Sequence, residues 1–96
     1  MLTAQERSLL KSLSNKLKDL VYVGKEGLTN NVITQINDNL YAHELIKIKV
    51  QKTANDDISS IAKEIENKCE CEVVATIGSK ILLYKVTSKP KFEHIL

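Results

Sequence analysis

Between Leu20 and Val50 the chain passes from an apolar run to a helical pattern to an alternating run. That passage restricts the fold more than any other feature. Leu20-Val21-Tyr22-Val23 stops at Gly24, and Gly27 follows after Lys25 and Glu26. Leu28 and Thr29 then open an amphipathic stretch. Val32, Ile33, Ile36 and Leu40 recur there at helical spacing with Tyr41 beside them, while Asn31, Gln35, Asn37, Asp38 and Asn39 face out. Thr29 or Asn30 is placed to cap this helix, and the pattern predicts that it runs to Tyr41 or Ala42. From Leu45 the chain alternates: Ile46, Ile48 and Val50 point one way, Lys47, Lys49 and Gln51 the other. Strand, helix and strand of these lengths imply a parallel pair joined by a right-handed crossover. The loop and the start of the helix then lie at the carboxyl end of the pair, with Lys47 and Lys49 on the sheet surface below. Leu20–Val23 shows no alternation, which predicts a strand covered on both faces.

The flanking segments complete a sheet. Thr3 and Glu6 form a capping-box signature, followed by Leu9, Leu10, Leu13 and Leu17 at helical spacing. This predicts a helix over residues 4–18, with Arg7, Lys11, Lys16 and Lys18 on its outer surface. After Val50, Lys52-Thr53-Ala54-Asn55-Asp56-Asp57 is a polar connection with several candidate caps, and Asp56 and Asp57 suit a helix N-terminus. Ile58, Ile61, Ala62 and Ile65 define a third helix. Glu72–Ile77 and Lys80–Val86 read as strands joined by the two-residue turn Gly78-Ser79. Residues 86–96 hold the only proline, Pro90, and read as an irregular tail that packs through Phe92 and Ile95. The order α-β-α-β-α-β-β predicts a single two-layer α/β domain over residues 1–96.

Charge is distributed unevenly although the net value is only +2. Asp56, Asp57, Glu64, Glu66, Glu70 and Glu72 gather in one stretch against Lys63 and Lys68 alone. The remainder is therefore a basic body, whose field attracts an anionic partner. With no Trp and one Phe, the core is predicted to be Leu, Ile and Val, and no aromatic stacking platform is visible. No apolar run approaches the roughly 20 residues of a membrane span. The N-terminal residues lack the basic-then-apolar pattern of a secretory signal. A cytoplasmic protein with no membrane partner is expected. Cys69 and Cys71 lie at i, i+2, which is neither a redox nor a zinc spacing. In an extended segment they would point to opposite faces, one thiol buried and one exposed.

Catalytic chemistry finds no foothold. There is no G-x-S-x-G, no Walker loop, no H-x-x-x-H and no Cys/His cluster. His43 and His94 are isolated, and a surface or capping role suits His43. The reading is a non-enzyme with no metal and no cofactor. The Gly24–Gly27 loop is the remaining candidate. Glycines permit close approach of another backbone, and the helix start supplies N–H groups and partial positive charge. KH domains clamp nucleotide backbones with a loop of this kind. Lys25 within the loop and Lys47 and Lys49 on the adjacent strand strengthen a phosphate-binding reading. Glu26 opposes it by charge repulsion. A tight strand-to-helix turn explains the two glycines equally well without any ligand.

Four stretches together resemble one family. They are Leu2-Thr3 with the basic first helix, Val23-Gly24-Lys25-Glu26-Gly27-Leu28-Thr29, His43-Glu44-Leu45-Ile46-Lys47-Ile48-Lys49-Val50, and Ile77-Gly78-Ser79-Lys80-Ile81-Leu82-Leu83-Tyr84. In order and spacing they are similar to the bacterial YhbY proteins, the stand-alone form of the chloroplast RNA splicing and ribosome maturation (CRM) domain. The resemblance implies a fold like the C-terminal domain of translation initiation factor 3, a mixed four-stranded sheet of order 1-2-4-3 with helices packed in a second layer. It implies RNA binding and association with precursors of the large ribosomal subunit, so ribosomal RNA is the expected partner of a monomeric protein. Gly24, Lys25, Glu26 and Gly27 then form the RNA-backbone contact. Lys25 is its basic member, Lys47 joins from the His-Glu-Leu-Ile-Lys run, and Lys49, Lys16 and Lys18 are nearby lysines available to phosphate. The rival reading is a protein-interaction module docking on a ribosomal protein through the acidic third helix, with Glu64 and Glu66 as its contacts.

Overall fold

The capping box at Thr3 forms as its sequence predicts. Thr3 Oγ1 accepts from the Glu6 N–H at 3.1 Å and Glu6 Oε1 accepts from the Thr3 N–H at 2.8 Å. It starts helix α1, Ala4–Leu13, in a computed structural model that describes residues 2–51 and 57–96. The polar connection over residues 52–55 and the helix-start role of Asp56 lie outside the described residues. A 3₁₀ turn, Ser14–Lys16, leads to β1, Asp19–Val23; α2 is Asn30–His43, β2 Leu45–Val50, α3 Ile58–Cys69, β3 Glu72–Ile77 and β4 Lys80–Tyr84. The sheet order is β1-β2-β4-β3, with β1 and β2 parallel and the other pairs antiparallel. This is the mixed sheet, in the order, that the family resemblance implies.

The two principal layers are the sheet and the pair α2 and α3. Ile36 and Leu40 of α2 and Ile61, Ala62 and Ile65 of α3 bury against Val21, Val23, Ile46, Ile48, Val50, Ile81 and Leu83. The alternation in β2 therefore points its isoleucines to this layer. The opposite face carries a smaller cluster, in which Leu10 of α1 is enclosed by Leu45, Val74, Leu82 and Tyr84. Leu2, Leu13, Leu17 and Ile95 pack around its edge. A ten-residue helix spans only about 15 Å. It covers the β3–β4 side and leaves β1 bare.

That short reach corrects the reading of β1 as a strand covered on both faces. Val21 and Val23 are buried, whereas Leu20 and Tyr22 are 42% and 56% exposed on the open face. α1 itself is shorter than residues 4–18. Ser14 Oγ donates to the Lys11 carbonyl at 2.6 Å, Leu17 N–H donates to the Ser14 carbonyl at 3.0 Å, and Leu17 is already extended. The side-chain hydroxyl competes for the helix's last carbonyls and tightens its end into the 3₁₀ turn. Leu9, off the contact stripe, is largely exposed. Arg7 does not lie on the outer surface either. Its guanidinium donates to the carbonyls of Val73 and Val74 at 2.9 and 3.0 Å, at the irregularity in the β3–β4 ladder between Val73 and Ala75. It thus ties α1 to the backbone at the bulge in the β3–β4 ladder.

α2 is capped by Thr29, whose Oγ1 accepts from the Val32 N–H, and it extends to His43. It stops where Glu44 turns the chain at φ 69°. α3 is capped by Asp57, which accepts from the Ser60 N–H at 2.8 Å. Both cysteines are buried, against the expectation of one exposed thiol. Cys69 ends α3 and Glu70 is left-handed, φ 51°, so the strand alternation assumed for the pair never applies. β4 ends at Tyr84 rather than Val86, because the Lys85 N–H turns to the Glu44 carbonyl at 3.0 Å and Val86 projects into solvent.

Candidate nucleic-acid interface

The two loop glycines have different reasons to be glycine. The Gly27 N–H donates to the Gly24 carbonyl at 3.0 Å, closing a four-residue turn, and Gly27 has φ +76°, a conformation that L side chains rarely adopt. Gly24 has no positive φ, and a Cβ built on it would meet only Gln51 Oε1, at 3.8 Å. Gly27 is required by the backbone. Nothing in the fold requires Gly24, whose bare backbone is open to an approaching group. Gly24, Lys25, Glu26, Gly27, Thr29, Val32 and Gln51 line an open depression of about 520 Å³ at the carboxyl end of β1. Lys25 and Glu26 are both exposed there, and the positive end of α2 begins three residues beyond Gly27.

The lysines divide into two groups. Lys49 is exposed and lies in register with Tyr22, one position below the pair Val23–Val50, and Gln51 N–H bonds the Val23 carbonyl at 2.8 Å. Lys49 thus sits on the sheet just beneath the loop. Lys47 is half-buried, and its ammonium donates to the Ser14 carbonyl at 3.1 Å, tying β2 to the 3₁₀ turn. Lys16 and Lys18 are exposed at the opposite end of β1. From Lys18 to Gly24 is about 20 Å along an extended chain. With His43 and Lys47 they rim a groove floored by Leu13, Leu17, Leu20 and Leu45. The structure therefore brings Gly24, Lys25, Glu26 and Gly27 together, sets Lys49 beside Tyr22 on the sheet face away from α2, and places Lys16, Lys18 and Lys47 as a separate group at the far end of the same strand pair.

Glu44 was missed by sequence reasoning, which treated it as a strand residue beside His43. It is wholly buried. Its carboxylate accepts from the Thr87 N–H at 2.9 Å, the Ile95 N–H at 2.9 Å and the ring N–H of His94 at 2.6 Å. Burial pushes its pKa up, but the Ile95, Thr87 and His94 donors outweigh it and hold the group below its ordinary value. Glu44 therefore fastens the C-terminal tail across the sheet edge and seats Ile95 at the groove by Lys16 and Lys18. The only sequence signal was a carboxylate directly after an amphipathic helix and before an apolar run. Burial pushes both thiols up, Cys71 to about 12, which disfavours the thiolate form.

A mixed four-stranded sheet under two helices, with a Gly-x-x-Gly turn between β1 and α2 and lysines around it, defines a small α/β domain built to meet an anionic partner. Residues 2–85 match the family model of the CRS1 / YhbY (CRM) domain, and the chain belongs to that family. It is 35% identical over 91 residues to "Probable RNA-binding protein YqeI" of Bacillus subtilis (strain 168), covering 95% of each chain. It is 32% identical over 92 residues to the "RNA-binding protein" of Haemophilus influenzae, covering 96% of this chain and 93% of that one. The solution structure of SAV1595 from Staphylococcus aureus superposes with a TM-score of 0.80 at 34% identity, covering 95% of each chain. The resemblance drawn from the four sequence stretches and the fold expected from it both hold.

Proposed function

We propose that this protein binds RNA through the Gly24–Gly27 turn and acts in the cytoplasm as an assembly factor for the large ribosomal subunit. The observation that carries the reading is Gly24. A residue that the fold leaves free to be anything is the smallest one available, at the mouth of a depression lined by Lys25 and the start of α2. Such a surface suits a phosphodiester backbone, with affinity from backbone N–H groups and lysines and little information about sequence. The names of the bacterial relatives agree with RNA as the partner. Docking on a ribosomal protein through α3 has weaker support, because Glu64 is already paired with Lys68 at 3.2 Å on the same helix.

The test is cosedimentation with ribosomal particles at low and moderate salt, comparing wild type with Gly24→Asp. The aspartate adds a charge facing the depression without asking for a forbidden backbone conformation. Enrichment of wild type with large-subunit precursors, lost in the folded variant, is the expected result. Enrichment that survives the substitution moves the contact elsewhere. No association at either salt removes the assembly role.

A further inference from the structure

The open face of the sheet carries a row that the loop reading does not use. Register places Tyr22 of β1 beside Lys49 of β2, Lys49 opposite Lys80 of β4, and Lys80 opposite Ile77 of β3. The row crosses all four strands. Val21, Val23, Ile48 and Ile81 point the other way into the core, so Tyr22, Lys49, Lys80 and Ile77 project from the face that α1 packs on, at the end of the sheet where β1 and β2 finish. Tyr22 is 56% and Ile77 46% exposed.

Folding alone does not account for this row. Like charges placed directly opposite in neighbouring strands destabilise a sheet, yet Lys49 faces Lys80. Among the described residues Asp19 supplies a counter-charge, its Oδ2 3.3 Å from Lys80 Nζ. A half-exposed tyrosine ring stands at one end of that cationic pair. We propose that the row is a stacking platform for a single-stranded RNA segment leaving the Gly24–Gly27 turn. The ring of Tyr22 takes one base, Lys49 and Lys80 take the adjoining phosphates, and Ile77 bounds the far side. A ring beside cations that track a backbone is the general arrangement for single strands, since every base offers a π-face and a duplex does not. A protein partner fits less well, because lysine is depleted at the centre of protein interfaces. A second copy of the chain would set this cationic pair against its own kind. Tyr22 lies two residues before Gly24 on the sheet face opposite α2, so a strand clamped at Gly24 rounds the carboxyl end of β1 to reach the ring. The platform thus deepens the RNA-binding reading and depends on it. It departs from the composition-based expectation that no aromatic stacking platform is visible.

The experiment measures binding of the full chain to two labelled probes, an unstructured oligoadenylate and a blunt RNA hairpin, for wild type, Tyr22→Phe and Tyr22→Thr. Threonine keeps the β-branched strand preference and removes the ring. The expected result is a loss of oligoadenylate affinity between about 5-fold and about 150-fold in Tyr22→Thr, retention in Tyr22→Phe, and hairpin affinity unchanged in both. Replacing Lys49 and Lys80 by glutamine should also flatten the salt slope for oligoadenylate by about 1.4. Oligoadenylate affinity that survives Tyr22→Thr overturns the platform, as does equal loss in the phenylalanine variant. Wild-type binding to the hairpin alone overturns the platform while the RNA reading stands. Binding to neither probe overturns both.

Discussion

Glu44→Gln tests whether one buried carboxylate holds the C-terminal tail. In the native protein the carboxylate accepts three hydrogen bonds, from Thr87, Ile95 and His94. Glutamine keeps one acceptor oxygen and replaces the other with an NH₂ group that faces donors. At least one backbone N–H loses its partner, and the remaining bonds lose their charge. Hydrogen bonds to a charged group contribute about 1.5–3 kcal/mol each, and relief from burying the charge offsets part of the loss. The net cost is about 2–4 kcal/mol, a large fraction of the 5–15 kcal/mol typical of a domain. The midpoint of thermal unfolding should fall by about 10–25 °C. Urea titration followed by circular dichroism gives the stability, and trypsin cleavage after Lys91 reports on the tail. The pH dependence supplies a second check. Because the folded-state pKa lies below the ordinary value of 4.5, the carboxylate's contribution is complete above that value and disappears as pH falls through the folded-state pKa. The gap between wild type and Glu44→Gln should therefore be widest near neutral pH and close in acid. A variant within about 0.5 kcal/mol of wild type, with unchanged trypsin sensitivity, would refute the clamp.

Three further outcomes are expected. Gly24→Ala should leave stability unchanged or raise it by about 0.4–1 kcal/mol, since nothing opposes the Cβ and the unfolded chain loses freedom; Gly27→Ala should lower it, and matched urea midpoints would contradict the distinction between the two glycines. Lys25→Glu should reduce the salt slope of RNA binding by about 0.7–0.9, whereas Lys47→Met should leave that slope intact and cost about 1–2 kcal/mol through the lost bond to the Ser14 carbonyl; an inverted pattern in a filter-binding salt series would reassign the two lysines. Cys71, with its thiol pushed up to about 12, should resist iodoacetamide at neutral pH until urea unfolds the chain, and rapid alkylation of the native protein would count against its burial.

The sequence by itself determined the order of elements, the parallel β1–β2 crossover, the Thr3 cap, the start of α2 at Thr29 or Asn30 and the position of the loop. Each depends on interactions within a few residues: side-chain period, a hydroxyl reaching an N–H three residues on, a glycine permitting a turn. The resemblance to the CRM family rested on the same local stretches. Only the tertiary structure decided which face of each element was covered. Leu20 and Tyr22 read as covered because β1 shows no alternation, and they lie open because a ten-residue helix stops short of β1. Arg7, Lys47 and Glu44 read as surface or strand residues, yet each satisfies backbone groups more than 30 residues away. No local pattern encodes such a partner. A buried polar group must be matched by whatever the folded chain brings beside it, and that neighbour is set by sheet order and layer packing. The row Tyr22, Lys49, Lys80 and Ile77 has the same origin, since register assembles it from four strands scattered along the sequence.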